Sequence, residues 1–196
     1  MRSAVIAFLV AFGVAQQPAP LPHVVFETAL GNFEVELETA KAPISAENFL
    51  WYVDAGAYNA GSFHRTVRPD TESRADFPIQ VIQASKARGS ARQPPIALER
   101  TSVTGLRHLA GTLSMARATA PDSAASDFFV CVTDTPELDY GGHRNPDGQG
   151  FAAFGRVVSG MDVIVKIHRA PINEAATGRA RESLAPPITI LKAYRK

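Results

Sequence analysis

Arg65 is the residue of this sequence whose chemistry is most distinctive. It lies in the run Gly61–Val67, which its bulky and β-branched residues predict to be a β-strand. A guanidinium stays protonated at neutral pH, so a half-buried one must be paired or hydrated. A cation held on a rigid strand could donate hydrogen bonds that stabilise a reacting group.

Three further blocks follow and predict more strands: Gly111–Arg117, Ser126–Cys131 and Phe151–Val157. Other chemistries leave no pattern in the sequence. There is no Ser-His-Asp arrangement, no phosphate-binding glycine motif and no zinc spacing among the five histidines. Acidic and amide residues between Asp134 and Gln149 lack the spacing of a calcium loop and are typical of turns.

In this order the four blocks resemble the cyclophilin family of peptidyl-prolyl cis-trans isomerases, from about His23 to Tyr194. The resemblance implies an enzyme that isomerises the peptide bond before proline and needs no cofactor or metal ion. This bond isomerises slowly, because twisting it breaks amide resonance at a cost of about 18–20 kcal/mol. In the twisted state the nitrogen can accept a hydrogen bond. A fixed guanidinium would therefore bind the transition state more tightly than either ground state.

The resemblance also assigns roles to particular residues. Arg65 is implied to be the catalytic arginine, and Gln83 the residue that binds the substrate backbone and orients it. Phe129 is implied to be the floor of the proline pocket. The remaining implied substrate-binding residues are pocket walls and the segment that pairs with a bound peptide: Met115, Leu138, Ala116, Arg117, Asp127, Val81, Gln80 and Phe151. Core packing is the alternative role for Met115, Leu138 and Phe129.

Several positions depart from the family's usual residues. Gln80 and Val81 stand where phenylalanine and methionine are usual, and Phe151 stands where a histidine often lines the pocket. The segments 66–82 and 140–150 are longer than in compact relatives. The resemblance thus implies isomerase activity with an altered substrate preference. The alternative is a module that binds proline-containing segments without useful turnover.

Alternation along a strand assigns neighbouring side chains to opposite faces. Phe128 should therefore face the protein interior, while Phe129 faces the pocket. By the same rule His64 should point away from Arg65 and serve in packing or hydrogen bonding, because this reaction moves no proton. Cys131 is the only cysteine, which excludes an internal disulfide, and its apolar strand predicts a buried, inert thiol.

Many short strands and only two helices indicate a mainly β protein. One helix is predicted from Ser45, as N-cap, to Gly56, and the other over Met161–His168. Further strands are predicted at Ile79–Gln83, Ile96–Glu99 and Ile188–Tyr194. Pattern alone fits a closed barrel and a β-sandwich equally. The resemblance implies a closed eight-stranded antiparallel β-barrel capped by two α-helices.

Length and charge point to one globular domain. The 196 residues are 45% hydrophobic, which is enough for a real core, and the formal net charge of +1 gives no reason to expect binding to nucleic acid. Arg2 and the apolar run Ala4–Ala15 predict a signal peptide over residues 1–15. This run is too short for a membrane span, which needs about 20 residues. An uncleaved anchor or a buried N-terminal strand is the alternative.

Residues 16–22 are then a disordered spacer, and residues 23–196 form the cyclophilin-like domain. We expect export across the inner membrane to the periplasm, where the protein would act as a monomer. Its expected partners are proline-containing polypeptides, with no nucleic acid and no membrane contact beyond the signal peptide.

Overall fold

The structure, a computed structural model, describes residues 20–74 and 76–196. The predicted signal peptide and residues 16–19 of the predicted spacer lie outside this part of the chain. The strands are β1 (His23–Thr28), β2 (Gly31–Leu37), β3 (Ser62–Val67), β4 (Val81–Ser85), β5 (Thr112–Met115), β6 (Phe128–Cys131), β7 (Ala153–Ser159) and β8 (Ser183–Arg195). They pair antiparallel into one closed barrel in the order β1-β2-β7-β5-β6-β4-β3-β8, which confirms the predicted fold.

Two long helices pack against the barrel. In chain order the helices are α1 (Pro43–Asp54), α2 (Thr101–Thr104) and α3 (Met161–His168). α1 packs against β7 and β8, and α3 against β2, β3 and β4. The sequence predicted α1 and α3, but not the single turn of α2 or the 3-10 helices at Pro136–Leu138 and Gly178–Glu182. In the two described ranges, no helix has the length and apolar character needed to cross a membrane.

Several strand boundaries differ from prediction. The last strand begins at Ser183 rather than Ile188, because its first part pairs with β3 and its second part with β1. This double pairing closes the barrel. The strand predicted from Ile79 begins at Val81. The strand predicted over Ile96–Glu99 is reduced to a single bridge from Ile96.

Aromatic side chains fill the barrel. Phe26, Phe33, Phe63 and Phe128 are all at most 2% exposed. The rings of Phe26 and Phe33 stack with centroids 4.9 Å apart. Phe128 stands edge-on to Phe49 of α1 at 5.2 Å, so the helix belongs to the same aromatic core. Large rings in these offset and edge-on contacts bury the most apolar surface per residue.

β6 separates this core from a second apolar cluster. Phe128 and Val130 belong to the core inside the barrel, whereas Phe129 and Cys131 belong to a cluster on its outer side. The placement of Phe128 confirms the alternation argued from the sequence. Burial raises the pKa of the Cys131 thiol, which therefore stays protonated at neutral pH and is a poor nucleophile.

The start of α1 corrects one prediction. The helix begins at Pro43, whose fixed φ suits the first helical position, so Ser45 lies inside the first turn and is not the N-cap. The carboxylate of Glu99 takes over the capping role. It accepts hydrogen bonds from the backbone N–H of Ile44 at 3.0 Å and of Ser45 at 2.8 Å. Gly56 follows the helix with φ +62°, as predicted for its end.

α3 begins where it packs closely against β2. Its N-cap, Gly160, has φ +83°, and a Cβ there would lie 2.5 Å from the carbonyl oxygen of Asn32. Only glycine combines this left-handed conformation with so close an approach. The helix then buries its predicted apolar stripe, which consists of Val163, Ile164 and Ile167.

Phe128→Ala should lower the free energy of unfolding by about 3–5 kcal/mol, because it removes a fully buried ring from the aromatic core. Leu191→Ala is the control: this side chain is 58% exposed, so its loss should cost no more than about 0.5 kcal/mol. Urea denaturation followed by circular dichroism measures both variants. A loss below about 1 kcal/mol for Phe128→Ala would contradict the described packing.

His168 should make stability depend on pH. Its imidazole is buried with Nε2 at 3.0 Å from the carbonyl oxygen of Val67, and burial lowers its pKa. The unfolded chain therefore binds the proton first, so stability should be full above about pH 6.5 and should fall as the pH drops below it. His168→Gln should weaken this dependence in urea denaturation at two pH values. The exposed His143→Gln should retain it, and equal behaviour of the two variants would refute the assignment.

Candidate functional site

An open cleft of about 640 Å³ lies on the outer face of the barrel, over β3, β4 and β6. Of the residues predicted for the site, most border this one cleft: Arg65, Gln83, Phe129, Leu138, Ala116, Arg117, Asp127, Val81 and Phe151. Met115 and Gln80 do not border it. The cleft also contains residues that the sequence did not point to, among them Ser73, Ile79, Arg144 and Arg179.

Strand register brings three of these residues into one row. Arg65 on β3 lies opposite Gln83 on β4, and Gln83 lies opposite Phe129 on β6. Residues that are directly opposite on neighbouring strands share a face and lie about 4.5–5.5 Å apart at their Cβ atoms. A cation, an amide and an aromatic ring thus meet on the barrel wall, although they are far apart in the chain.

A β-bulge makes this row possible and corrects the prediction for His64. The pairing shifts between Phe63, which lies opposite Ala84, and Arg65, so His64 is the extra residue. Without the bulge, Phe63 and Arg65 would share a face. His64 therefore does not point away from Arg65. It lies on the outer side, where its Nδ1 is 3.4 Å from the hydroxyl of Ser85, in agreement with the predicted hydrogen-bonding role.

Burial shifts the pKa values of His64 and Asp127 in opposite directions, and each group partly offsets the shift of the other. Burial lowers the pKa of His64, and the charge of Asp127 partly offsets this. Burial raises the pKa of Asp127, and His64 partly offsets that shift. At neutral pH the histidine is therefore neutral, and the Asp127 side chain borders the cleft.

The guanidinium of Arg65 is fixed on two sides. Its Nη1 donates to Oε1 of Gln83 at 2.9 Å, and its Nε donates to Oε2 of Glu182 at 2.7 Å, while Nη2 lies 2.6 Å from the same carboxylate oxygen in an ion pair. Burial lowers the pKa of Arg65, and Glu182 opposes this shift. The ordinary pKa of arginine is so high that the group stays charged. Because 17% of the side chain remains exposed, this cation opens onto the cleft.

Glu182 was missed at the sequence level. It is fully buried and lies in the 3-10 helix that precedes β8. Burial opposes its ionisation, but hydrogen bonds from Ser73 and the charge of Arg65 outweigh that effect and lower its pKa. No local pattern marks this residue, because its partner Arg65 is 117 positions away.

The floor of the cleft is apolar. Phe129 is 5% exposed and packs with Val81, Leu138 and Ile79 in the outer cluster. Phe151 stands edge-on to Phe129 with centroids 5.5 Å apart. Together these side chains give the cleft an apolar floor, called the apolar slot below, on which a compact aliphatic ring can be buried.

A buried histidine supports this floor from below. His108 stacks on Phe129 at 5.9 Å, with Nδ1 at 2.7 Å from Asp139 and Nε2 at 2.9 Å from the hydroxyl of Ser114. With both ring nitrogens engaged, the imidazole cannot rotate, so the Phe129 ring has a fixed base. No motif in the sequence singles out His108.

Met115 and Gln80 lie elsewhere for identifiable reasons. On β5, Leu113 and Met115 point into the barrel while Ser114 points outward, so Met115 joins the core at 1% exposure. Core packing, the alternative weighed from the sequence, is what the structure shows. Gln80 precedes β4, and its carbonyl accepts from the N–H of Val132 at 2.8 Å. Its neighbour Ile79 borders the cleft instead.

Arg117 fixes the loop 140–150 above the floor. Its side chain is fully covered, although the residue borders the cleft. It donates to the carbonyl of Gly150 and to Asp147, both at 2.8 Å, and its guanidinium lies 5.2 Å from the centre of the Phe151 ring. The neighbouring N–H of Ala116 already donates to the carbonyl of Asp127 at 2.8 Å.

The two enlarged segments bond to each other and form one rim of the cleft. Glu72 and Arg144, whose side chains are 4% and 8% exposed, form an ion pair at 3.0 Å. Arg144 also donates to the carbonyl of Phe77 at 2.9 Å, and the Phe77 ring stacks on His143 at 5.1 Å. In residues 20–74 and 76–196, no group of three or more histidine, cysteine or acidic side chains is arranged to hold a metal ion.

Comparison with known proteins identifies the family. A sequence profile described as "Cyclophilin type peptidyl-prolyl cis-trans isomerase/CLD" matches residues 23–195. "Peptidyl-prolyl cis-trans isomerase A" of Dickeya dadantii is 40% identical over 159 residues, which cover 81% of this chain and 77% of that protein. "Peptidyl-prolyl cis-trans isomerase B" of Escherichia coli is 36% identical over 157 residues, covering 80% of this chain and 87% of that one.

A solved structure shows the same architecture. The crystal structure of a Cryptosporidium parvum cyclophilin type peptidyl-prolyl cis-trans isomerase superposes with a TM-score of 0.67 at 19% identity. It covers 90% of this chain and 98% of that one. At this identity the likeness concerns the fold. The profile and the bacterial relatives extend over the barrel and its cleft, and they show that this chain belongs to the cyclophilin family of peptidyl-prolyl cis-trans isomerases.

Proposed function

We propose that this protein catalyses cis-trans isomerisation of the peptide bond before proline in exported polypeptides. The observation that carries the proposal is the row of Arg65, Gln83 and Phe129 on neighbouring strands, with an open cationic group beside an apolar slot. Family membership and the names of the bacterial relatives support the same reaction.

The apolar slot binds the proline ring, and the Arg65 cation acts on the peptide bond that precedes it. A pyrrolidine ring is compact and apolar, so its burial against Phe129, Val81 and Leu138 supplies binding energy and removes water from the amide. The amide then lies beside the Arg65 guanidinium. When the bond twists, its nitrogen lone pair leaves conjugation and becomes an acceptor, which the guanidinium can bind only in that state.

The reaction needs little else from the site. The two end states differ by only about 0.5–1 kcal/mol, so catalysis consists of lowering the barrier in both directions. No bond breaks and no proton is transferred. A neutral His64 and a protonated Cys131 are therefore compatible with activity. We propose that the protein works as a monomer on protein substrates, without a cofactor and without nucleic acid.

Export is the second part of the proposal. It rests on the apolar run Ala4–Ala15 and the small residues at its end, which suit cleavage after Ala15. The first strand of the barrel begins at His23, so this cut would leave the fold intact. Isomerisation before proline is slow enough to limit folding, which gives such an enzyme a role among newly exported chains.

Arg65→Ala should lower kcat/KM for a proline peptide by about 10²–10³-fold, because the guanidinium proposed to bind the twisted amide is lost. Exchange NMR or a protease-coupled assay measures the rate. Arg156→Ala is the matched control, since this arginine pairs with Glu36 on another part of the barrel wall and should leave the rate unchanged. A wild-type rate no faster than the uncatalysed one, with peptide binding retained, would instead indicate a binding module.

Expression of the full chain in a Gram-negative host should yield a periplasmic protein that begins at Gln16. Intact-mass spectrometry of the purified fraction tests the cut, and cell fractionation tests the compartment. Ala15→Leu should block processing, because a large residue does not fit the small-residue cleavage pattern. An unprocessed protein in the cytoplasm would contradict the export proposal and leave the isomerase proposal standing.

A further inference from the structure

Glu182 forms a contact network that the proposed chemistry does not use directly. The carboxylate is fully buried, and each of its oxygens has a different set of donors. Oε2 accepts from Nε of Arg65 at 2.7 Å and lies 2.6 Å from Nη2 in an ion pair. Oε1 accepts from the N–H of Ser73 at 3.1 Å and from its hydroxyl at 2.5 Å.

The contacts of Glu182 with Arg65 determine where the guanidinium points. An arginine side chain has several rotatable bonds, and holding it in one conformation costs free energy. Gln83 contacts only Nη1, so by itself it would leave the group free to turn about that bond. Glu182 engages Nε and Nη2 from the opposite side and fixes the plane of the guanidinium.

The other side of the network reaches the enlarged segment. Ser73 belongs to the loop 68–80, and the same loop is anchored by Glu72, which accepts hydrogen bonds from the N–H of Arg74 at 2.9 Å and of Ile79 at 3.1 Å. The ion pair of Glu72 with Arg144 then joins it to the second enlarged loop. One carboxylate thus connects the rim of the cleft to the cation at its centre.

We propose that Glu182 is a positioning residue. It holds the Arg65 guanidinium in the orientation that meets the twisted amide, and through Ser73 it makes that orientation depend on the loop 68–80. The inference rests on the proposed function, since positioning Arg65 matters for rate only if Arg65 is catalytic. On this view the enlarged loop takes part in setting the catalytic rate, because its Ser73 supplies two of the hydrogen bonds to Glu182.

Glu182→Gln should lower kcat by about tenfold or more while KM changes by less than about twofold, because the apolar slot remains but the charged hydrogen bonds to Arg65 are lost. In an Arg65→Ala background the same substitution should cause no further loss of rate. The Nε–Hε resonance of Arg65 in 15N NMR should show slow solvent exchange in the wild type and faster exchange in Glu182→Gln.

Two further variants keep the test decisive. Glu99→Gln removes another structural carboxylate, at the start of α1, and should lower stability without changing kcat. Ser73→Ala removes a hydroxyl from an exposed residue, so it should fold even if Glu182→Gln does not. It should lower kcat by about two- to fivefold, since one hydrogen bond to the charged group is lost.

An unchanged kcat in folded Glu182→Gln, or in Ser73→Ala if the former fails to fold, would overturn the proposal. So would an equal loss of rate from Glu182→Gln with and without Arg65. If the wild-type protein proves to have no isomerase activity, the proposed function fails, and the exchange rate of the Arg65 resonance still tests positioning. Faster exchange in Glu182→Gln supports it, and identical exchange in both proteins refutes it.

Discussion

The β-bulge at His64 is the feature on which the cleft depends. In a regular strand, residues two positions apart share a face, so Arg65 would follow Phe63 into the barrel. A guanidinium among the aromatic rings of the core would have no water and no partner, at a prohibitive cost in free energy. The extra residue turns Arg65 to the outer wall, opposite Gln83. From that point β4 and β6 pair in regular register and place Phe129 in the same row.

The barrel wall therefore has an apolar layer on each side, and the two serve different purposes. The inner layer, with Phe128 at its centre, holds the fold together. The outer layer, with Phe129 as its floor, is open to solvent on one side and must be supported by polar contacts around it. His108 supports the floor from below, and Arg117 fixes the loop above it, each through several hydrogen bonds. A slot built in this way is rigid before any ligand enters.

The charged groups around the cleft form a connected set. Arg65 with Glu182 and Arg144 with Glu72 are both largely buried pairs, and breaking a buried pair leaves one charge without compensation, which costs about 3–5 kcal/mol. For this reason neither enlarged loop can be shortened without disturbing the other. Through its hydrogen bond to Glu182, Ser73 also links its loop to the Arg65 guanidinium at the centre of the cleft.

Properties that depend on neighbours within a few residues were determined by the sequence itself. Strand alternation placed Phe128 inside the barrel, and the helix predicted over Met161–His168 has those bounds in the structure. In both cases the physical cause is short-range, namely the period of a strand or helix. The meeting of Arg65, Gln83 and Phe129 has no such cause, because the three lie far apart in the chain, and only the family resemblance implied it.

Only the tertiary structure decided which distant polar groups pair and which side chains of each strand face the barrel interior. Glu99 caps α1 in place of Ser45, and Glu182 meets Arg65 across 117 positions. Met115 faces the barrel interior and His64 lies on the outer side because of the strand register, which is set by all eight strands at once. Such contacts form only when the whole barrel closes. A buried charge needs a partner and an apolar strand face needs a surface to pack against, and both come from parts of the chain that only the complete fold brings close.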